Sequence, residues 1–234
     1  MYVETIMTIQ EAIKARHSVR AYNEQQLAED VVNVLEEQMA FFNREGKLHI
    51  QLVLNEPKAF QGTLAKYGKF RNVTNYFVMA GKKAEDLDER VGYYGEHLVL
   101  LAQTLGLNTC WVGLSYSKVP GTSVLEEGEK IACYIAIGYG ETQGVSHRIK
   151  TVGQVSRGYD IAPSWFRQGV EAALLAPTAV NQQKFSFEYV GMENNRHKVL
   201  AKKGFSMIGY TQMDLGIVKY HFEVGAGKDH FDWV

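Results

Sequence analysis

The sequence has little cysteine, little proline, no excess of either charge and no long apolar run. Its two cysteines, Cys110 and Cys133, each lie in an apolar stretch. They provide no disulfide framework, and buried thiols in a reducing compartment are the simplest reading. Four prolines leave no room for a proline-rich linker. With 25 Lys+Arg against 26 Asp+Glu, the net charge is -1. That argues against a protein held on nucleic acid by bulk charge, although a local basic site stays open. No apolar run approaches the ~20 residues of a membrane-spanning helix. The opening residues lack the basic and apolar regions of a signal peptide, so a cytoplasmic protein without nucleic-acid or membrane partners is expected. Several motifs are missing as well. There is no G-x-G-x-x-G after a strand, no Walker A loop, no His-Glu-x-x-His, no zinc-spaced Cys/His set and no G-x-S-x-G. No metal site is expected.

What is present is the mix of a globular protein: 234 residues, 46% hydrophobic and 22% charged. That length suits one sizeable domain or two small ones. Thr8-Ile9-Gln10-Glu11 fits a capping box and predicts a helix from Ile9 to about Arg16. Val31, Val34, Leu35, Gln38, Met39 and Phe42 follow helical spacing, predicting a helix over about 28–42 with Gly46 as a stop. Leu48, Ile50, Leu52 and Leu54 alternate as the buried face of a strand, closed by Pro57. Strands are also predicted over 75–80, closed by Gly81, and over 185–190, and the short apolar segments 110–114 and 131–137 read as strands or buried turns. Helices are predicted over about 87–105 with Gly106 at the cap, over 164–175, and from an Asp214 N-cap to about 224. Residues 138–158 read as an ordered loop or arm.

A weak internal repeat is visible. A helix ending near Ala40 precedes His49 and its strand by the same spacing that separates Ala176 from Phe185. Each strand leads to a helix opening after a Gly-Tyr pair, Gly92-Tyr93 or Gly209-Tyr210. Duplication and coincidence both remain open on spacing alone.

Four segments could carry chemistry. Arg16-His17-Ser18-Val19-Arg20 places two guanidiniums and a hydroxyl where they could grip a phosphate; equally, cations at a helix C-terminus complement its dipole. Arg148 and Lys150 form a second basic pair, or a solvated arm. After Pro177 stops a helix, Thr178, Asn181 and Gln183 present hydroxyl and amide groups suited to the mixed polar edge of a heterocycle, or simply to a turn. In Leu105-Gly106-Leu107-Asn108-Thr109-Cys110-Trp111-Val112-Gly113-Leu114, Gly113 permits close ligand approach. Trp111 is core or ligand wall. His221 and His230 lack ligand-like neighbours and read as structural.

Together these segments resemble the FMN-dependent nitroreductase family. Arg16-His17-Ser18-Val19-Arg20 looks like the family's Arg-x-Ser-x-Arg/Lys signature, which holds the FMN phosphate and ribityl chain. The segment through Trp111, Gly113 and Leu114 is similar to the one passing beside the isoalloxazine. Ile135 to Gly140, with His147-Arg148-Ile149-Lys150 after it, resembles the family's Gly-Tyr-Pro strand end and second basic pair. Pro177-Thr178-Ala179-Val180-Asn181-Gln182-Gln183-Lys184-Phe185 resembles its Pro-Ser-x-x-Asn-x-Gln-Pro-Trp loop, with Lys-Phe where the family has Pro-Trp. The order departs from the family, because this loop comes only in the second half. In ordinary members it reaches the flavin from the partner subunit of a dimer.

The resemblance therefore implies an α+β, nitroreductase-like fold whose two halves, residues 1–160 and 161–234, mimic the family homodimer. It implies one site per chain and a monomer that needs no partner. Arg16, His17, Ser18, Arg20, Arg148 and Lys150 would hold the FMN phosphate end. Trp111, Gly113, Leu114, Pro177, Thr178, Asn181 and Gln183 would face the ring and ribityl atoms. It further implies an oxidoreductase in which the flavin, not a side chain, carries the hydride. NADH or NADPH would be co-substrate, and a nitroaromatic or quinone the acceptor, in ping-pong order. A flavin-binding sensor or store without turnover is the alternative. A plain α+β interaction protein with surface charge is the third reading.

Overall fold

The computed structural model describes residues 5–234. In the first unit, Met1–Leu87 with His97–Ser146, the chain forms α1 (Ile9–Ala15), α2 (Glu29–Gly46), β1 (Gln51–Val53), α3 (Thr63–Tyr67), β2 (Asn75–Lys82), the later part of α4 (Leu87–Thr104), β3 (Asn108–Val112) and β4 (Glu129–Gly138). In the second unit, Asp88–Glu96 with His147–Val234, it forms the early part of α4, then α5 (Val152–Val155), β5 (Ser156–Arg157), α6 (Ser164–Leu174), β6 (Phe185–Glu193), β7 (Arg196–Lys203), α7 (Thr211–Ala226) and β8 (Phe231–Trp233). The second unit thus begins at His147 rather than near 161, and it takes in a piece of α4. Its start follows from residues 147–157. His147 meets the Leu174 carbonyl at 3.2 Å, and β5 pairs with β6, so part of the expected arm is regular structure of this unit.

The first unit is built on an antiparallel sheet, β1-β2-β4-β3. α1 starts where its sequence says: the Thr8 hydroxyl accepts from the Glu11 N–H at 3.3 Å and the Glu11 carboxylate accepts from the Thr8 N–H at 2.8 Å. β2 is buried from Asn75 through Gly81, the run of a central strand, and Gly81 lies inside it rather than closing it. Tyr116, Tyr134 and Tyr76 stack as a column, with centroids 3.9 and 4.9 Å apart, each pair adding roughly 0.5–1.5 kcal/mol beyond burial. β1 is shorter than the alternation predicts, and the buried residues are Leu48, Ile50 and Val53. The Asn43 side chain takes both the N–H and the carbonyl of Ile50, at 2.7 and 2.9 Å. Those backbone groups are then lost to a sheet ladder.

The second unit has a mixed sheet, β5-β6-β7-β8, packed on α6 and α7 through Phe166, Val170, Phe187, Val199 and Phe222. β7 and β8 are not foreseen in the sequence. β6 and β7 form a hairpin through Asn194 and Asn195, both with positive φ, the two-residue turn that Asn tolerates. α7 opens at Thr211, so Asp214 lies inside its first turn and is not its N-cap.

α4 and α7 cross with backbone against backbone. A β-carbon on Gly92 would collide with the Met213 carbonyl oxygen, and one on Gly216 with the Glu89 carbonyl oxygen. Glu89 stands three residues before Gly92, as Met213 does before Gly216. The contact is reciprocal. Gly92-Tyr93 is therefore mid-helix and opens nothing, and α2 runs on to Gly46. Gly209-Tyr210, by contrast, does open α7, so only one of the two expected Gly-Tyr helix starts is present. Around the crossing, Glu89 accepts from Lys219 at 2.9 Å, Tyr93 donates to Glu223 at 2.5 Å, and His221 pairs with Glu96 at 2.8 Å, both fully buried.

Among the described residues, no helix is long and apolar enough to cross a membrane. Nor does any group of three or more His, Cys, Asp or Glu there assemble that could hold a metal ion.

The crossing yields a stability prediction. Gly92→Ala and Gly216→Ala each lower unfolding free energy by about 1–3 kcal/mol in chemical denaturation, the scale of overpacking. Gly153→Ala, where an added β-carbon meets nothing within 4 Å, changes it by less than about 0.5 kcal/mol. Equal effects at Gly216 and Gly153 would show that the helices are not in close contact.

Candidate functional site

In the first unit, α1 ends at Arg16, whose backbone turns extended. The chain then lies along β3: Ser18 bridges Thr109 in parallel, and the Val19 N–H donates to the Thr109 carbonyl at 3.0 Å. Tyr22 bridges Gly140, and Glu141 donates its N–H to Ala21 at 3.0 Å. Residues 16–22 are therefore fixed by main-chain bonds, which positions side chains better than a loop tip does. Arg16 is buried, Ser18 half-buried and Arg20 exposed. His17 packs against Gly144, where a β-carbon would come within 2.7 Å of the His17 Cβ.

The side chains of Arg16, Ser18 and Arg20 meet around Cys110. Burial raises the Cys110 thiol above its ordinary pKa, opposed by Arg20, a Ser18 hydrogen bond and Arg16. Two guanidiniums and a hydroxyl thus share one small region, a donor set suited to a phosphate. Trp111 and Gly113 are half-buried at the end of β3, and Leu114 just beyond is 73% exposed.

In the second unit, Pro177 follows α6, and Thr178–Gln183 make a tight turn. Val180, Asn181 and Gln183 all adopt left-handed backbone, φ 47°, 56° and 46°. For Val this is a strained conformation that needs outside support. The support is dense. The Thr178 hydroxyl accepts from the Gln183 N–H at 3.0 Å. The Arg148 carbonyl accepts from the side-chain amides of Asn181 and Gln183 at 2.9 and 2.8 Å. The Gln183 amide oxygen accepts from the Lys150 N–H at 2.9 Å, and the Lys150 ammonium donates to the Gln183 carbonyl at 2.5 Å. From below, Asp214 accepts from the Ala179 N–H at 2.9 Å and from the Gln182 amide at 2.7 Å.

The structure thus brings Arg148, Lys150, Thr178, Asn181 and Gln183 into one cluster. Gln183 is 4% exposed, and its amide is engaged with Arg148, Asn181 and Lys150. In these bonds it braces the turn. Asn181 stays exposed. Burial, and then repulsion from Lys184, hold the Lys150 ammonium below its ordinary pKa. Two crowded ammonium groups near Arg148 favour an anion.

Sequence reasoning missed Asp214 and the cationic part of Lys184. Asp214 was hidden because a helical Asp reads as a cap, and its turn partners lie 35 and 32 residues away. A cavity of about 690 Å³ in the first unit, lined in part by Asn23, Asn55, Phe60, Phe70 and Asn72, involves none of the expected residues.

The chain matches the family described as "Putative TM nitroreductase" over residues 8–226. Its fold is similar to that of a "putative nitroreductase" from Thermotoga maritima, at 23% identity and TM-score 0.71, with 98% of this chain and 88% of that chain covered. It is also similar to a nitroreductase family protein from Clostridium difficile 630, at 15% identity and TM-score 0.50, with 65% of this chain and 99% of that chain covered. No curated protein matches it. A match across nearly the whole sequence, on an α+β fold shared with these structures, establishes that the chain belongs to the nitroreductase family.

Proposed function

We propose that the chain is an FMN-dependent oxidoreductase using NADH or NADPH and a small-molecule acceptor such as a nitroaromatic or quinone. The observation that carries this reading is the family match over residues 8–226, a span that includes both cationic clusters, on segments whose sequence resembles the family's flavin motifs. The donor sets fit a flavin mononucleotide. Guanidiniums and a hydroxyl suit the phosphate, and the crowding of Lys150 by Lys184 favours a dianion in its place.

In this reading Arg16, Ser18 and Arg20 bind phosphate oxygens, and Lys150 and Arg148 form a second cluster suited to an anion. Trp111, Gly113 and Leu114 offer one wall, with Leu114 free of the core. Asn181 offers its exposed amide, and Thr178 its hydroxyl, toward the polar edge. The bound flavin supplies the hydride chemistry. The protein orients it and needs no side-chain nucleophile.

We further propose that the second unit stands in for the partner subunit of ordinary family members. Two observations support this. Nearly all of the Clostridium chain is matched by only 65% of this one. And α4 meets α7 through equivalent positions, Glu89-x-x-Gly92 and Met213-x-x-Gly216, as two copies of one helix would.

The purified protein is expected to take up FMN and to bleach when NADH or NADPH is added without oxygen, with colour returning on a quinone or nitroaromatic. Visible absorption reads all three steps. Uptake without bleaching would assign a sensor or store, and no uptake would refute the flavin reading. Arg20→Ala and Lys150→Ala are each expected to weaken FMN binding by roughly 1.5–3 kcal/mol, the scale of one hydrogen bond to a charged group, measured by fluorescence titration. Unchanged affinity in either variant removes that residue from the site.

A further inference from the structure

We infer that Asp214 is a positioning residue that holds the strained Thr178–Gln183 turn in its ligand-binding form; the ligand rests on the FMN reading above. The turn is costly by itself, with Val180, Asn181 and Gln183 all left-handed. Val180 is also 74% exposed, so its own packing does not hold it there. A β-branched residue adopts such a backbone only where its surroundings enforce it, and strain of this kind points to function at the turn.

Asp214 is the enforcing group at the turn's first half. It is 2% exposed, and it uses one oxygen for the Ala179 N–H at 2.9 Å and the other for the Gln182 amide at 2.7 Å. Gln182 then also donates to the Gly209 carbonyl at 3.0 Å, tying the turn to the entry of α7. The residues on either side of the left-handed Val180-Asn181 pair are thus clamped to a rigid helix. The second half is held separately, by Gln183 on Arg148 and Lys150. An Asp at this place serves no helix cap and packs no apolar surface. As a first-turn carboxylate it complements the dipole of α7, a role that an exposed position would serve equally, whereas Asp214 is buried with both oxygens on the turn.

Burial raises the Asp214 carboxyl to about 6, against the pull of the Ala179 and Gln182 donors. Those two donors face the carboxyl, and no charged side chain is among the groups acting on it. Protonation leaves one oxygen unable to accept, which makes the acid resemble an asparagine.

The test measures FMN affinity by fluorescence and amide hydrogen exchange of Ala179, on wild type and variants. Asp214→Asn is expected to weaken FMN about tenfold, and Asp214→Ala about a hundredfold, the range for a buried donor left without its acceptor. The ratio of Asn variant to wild type should fall toward one as pH drops from 8 to 5, because the wild-type carboxyl protonates across about 6. Taking the ratio cancels the titration of FMN itself. Ala179 should exchange at least tenfold faster in Asp214→Ala, whether or not FMN is present. Adding Val180→Gly, which relieves the left-handed strain, should recover at least half of the lost affinity on a logarithmic scale. A purely structural Asp214 would lower the melting temperature without that recovery and without the pH-dependent ratio, and either result would overturn the assignment. If wild type binds no FMN, the ligand named here is wrong, and the Ala179 exchange rate alone decides whether Asp214 holds the turn.

Discussion

The contact on which the second unit depends is the backbone crossing of α4 and α7. Two helices can meet this closely only where neither carries a side chain, and Gly92 and Gly216 supply that on both sides. The crossing sets the position of α7 along its first turns. Those same turns carry Asp214, which reaches the Ala179 N–H and the Gln182 amide. The geometry of a surface turn therefore traces back, through one carboxylate, to a glycine pair in a helix interface. Local strain at Val180 is sustained by rigid structure rather than by the turn's own sequence.

The reading of charge follows a similar logic. Burial and a second lysine push the Lys150 ammonium below its ordinary range. At Cys110 burial raises the thiol, and two guanidiniums oppose that rise. Arg196–Asp232 at 2.8 Å is a surface ion pair, which contributes little to stability. Positive charge concentrated on fixed backbone is the more informative feature, and both clusters fall on the segments whose sequence resembles the family's signature.

Much of the fold was legible in the sequence, where a local rule was strong. The Thr8 capping box, the helical spacing over 31–42 and the apolar run 131–137 each announce their element. What was not legible depended on distant partners. β1 is cut short because Asn43, seven residues before Ile50, takes its main-chain groups. β7 reads as a charged segment, and only the Asn194-Asn195 pair signals the hairpin that makes it a strand. The candidate segments stood out because their residue types suit the proposed chemistry. The part played by Gln183 was not, since an amide that braces a turn and one that meets a ligand look alike until its partners are known. The close approach of α4 and α7 was equally hidden, because Gly92 and Gly216 read as ordinary helix glycines until the facing backbone is known.

The central claim is that one chain does what two subunits do in ordinary relatives. Native mass spectrometry of the FMN-loaded protein at sub-micromolar concentration tests this directly. A single chain carrying one FMN is the expected species, with no two-chain form needed for retention of the flavin. FMN retained only by a pair of chains, or two flavins held by such a pair and none by the single chain, would contradict it.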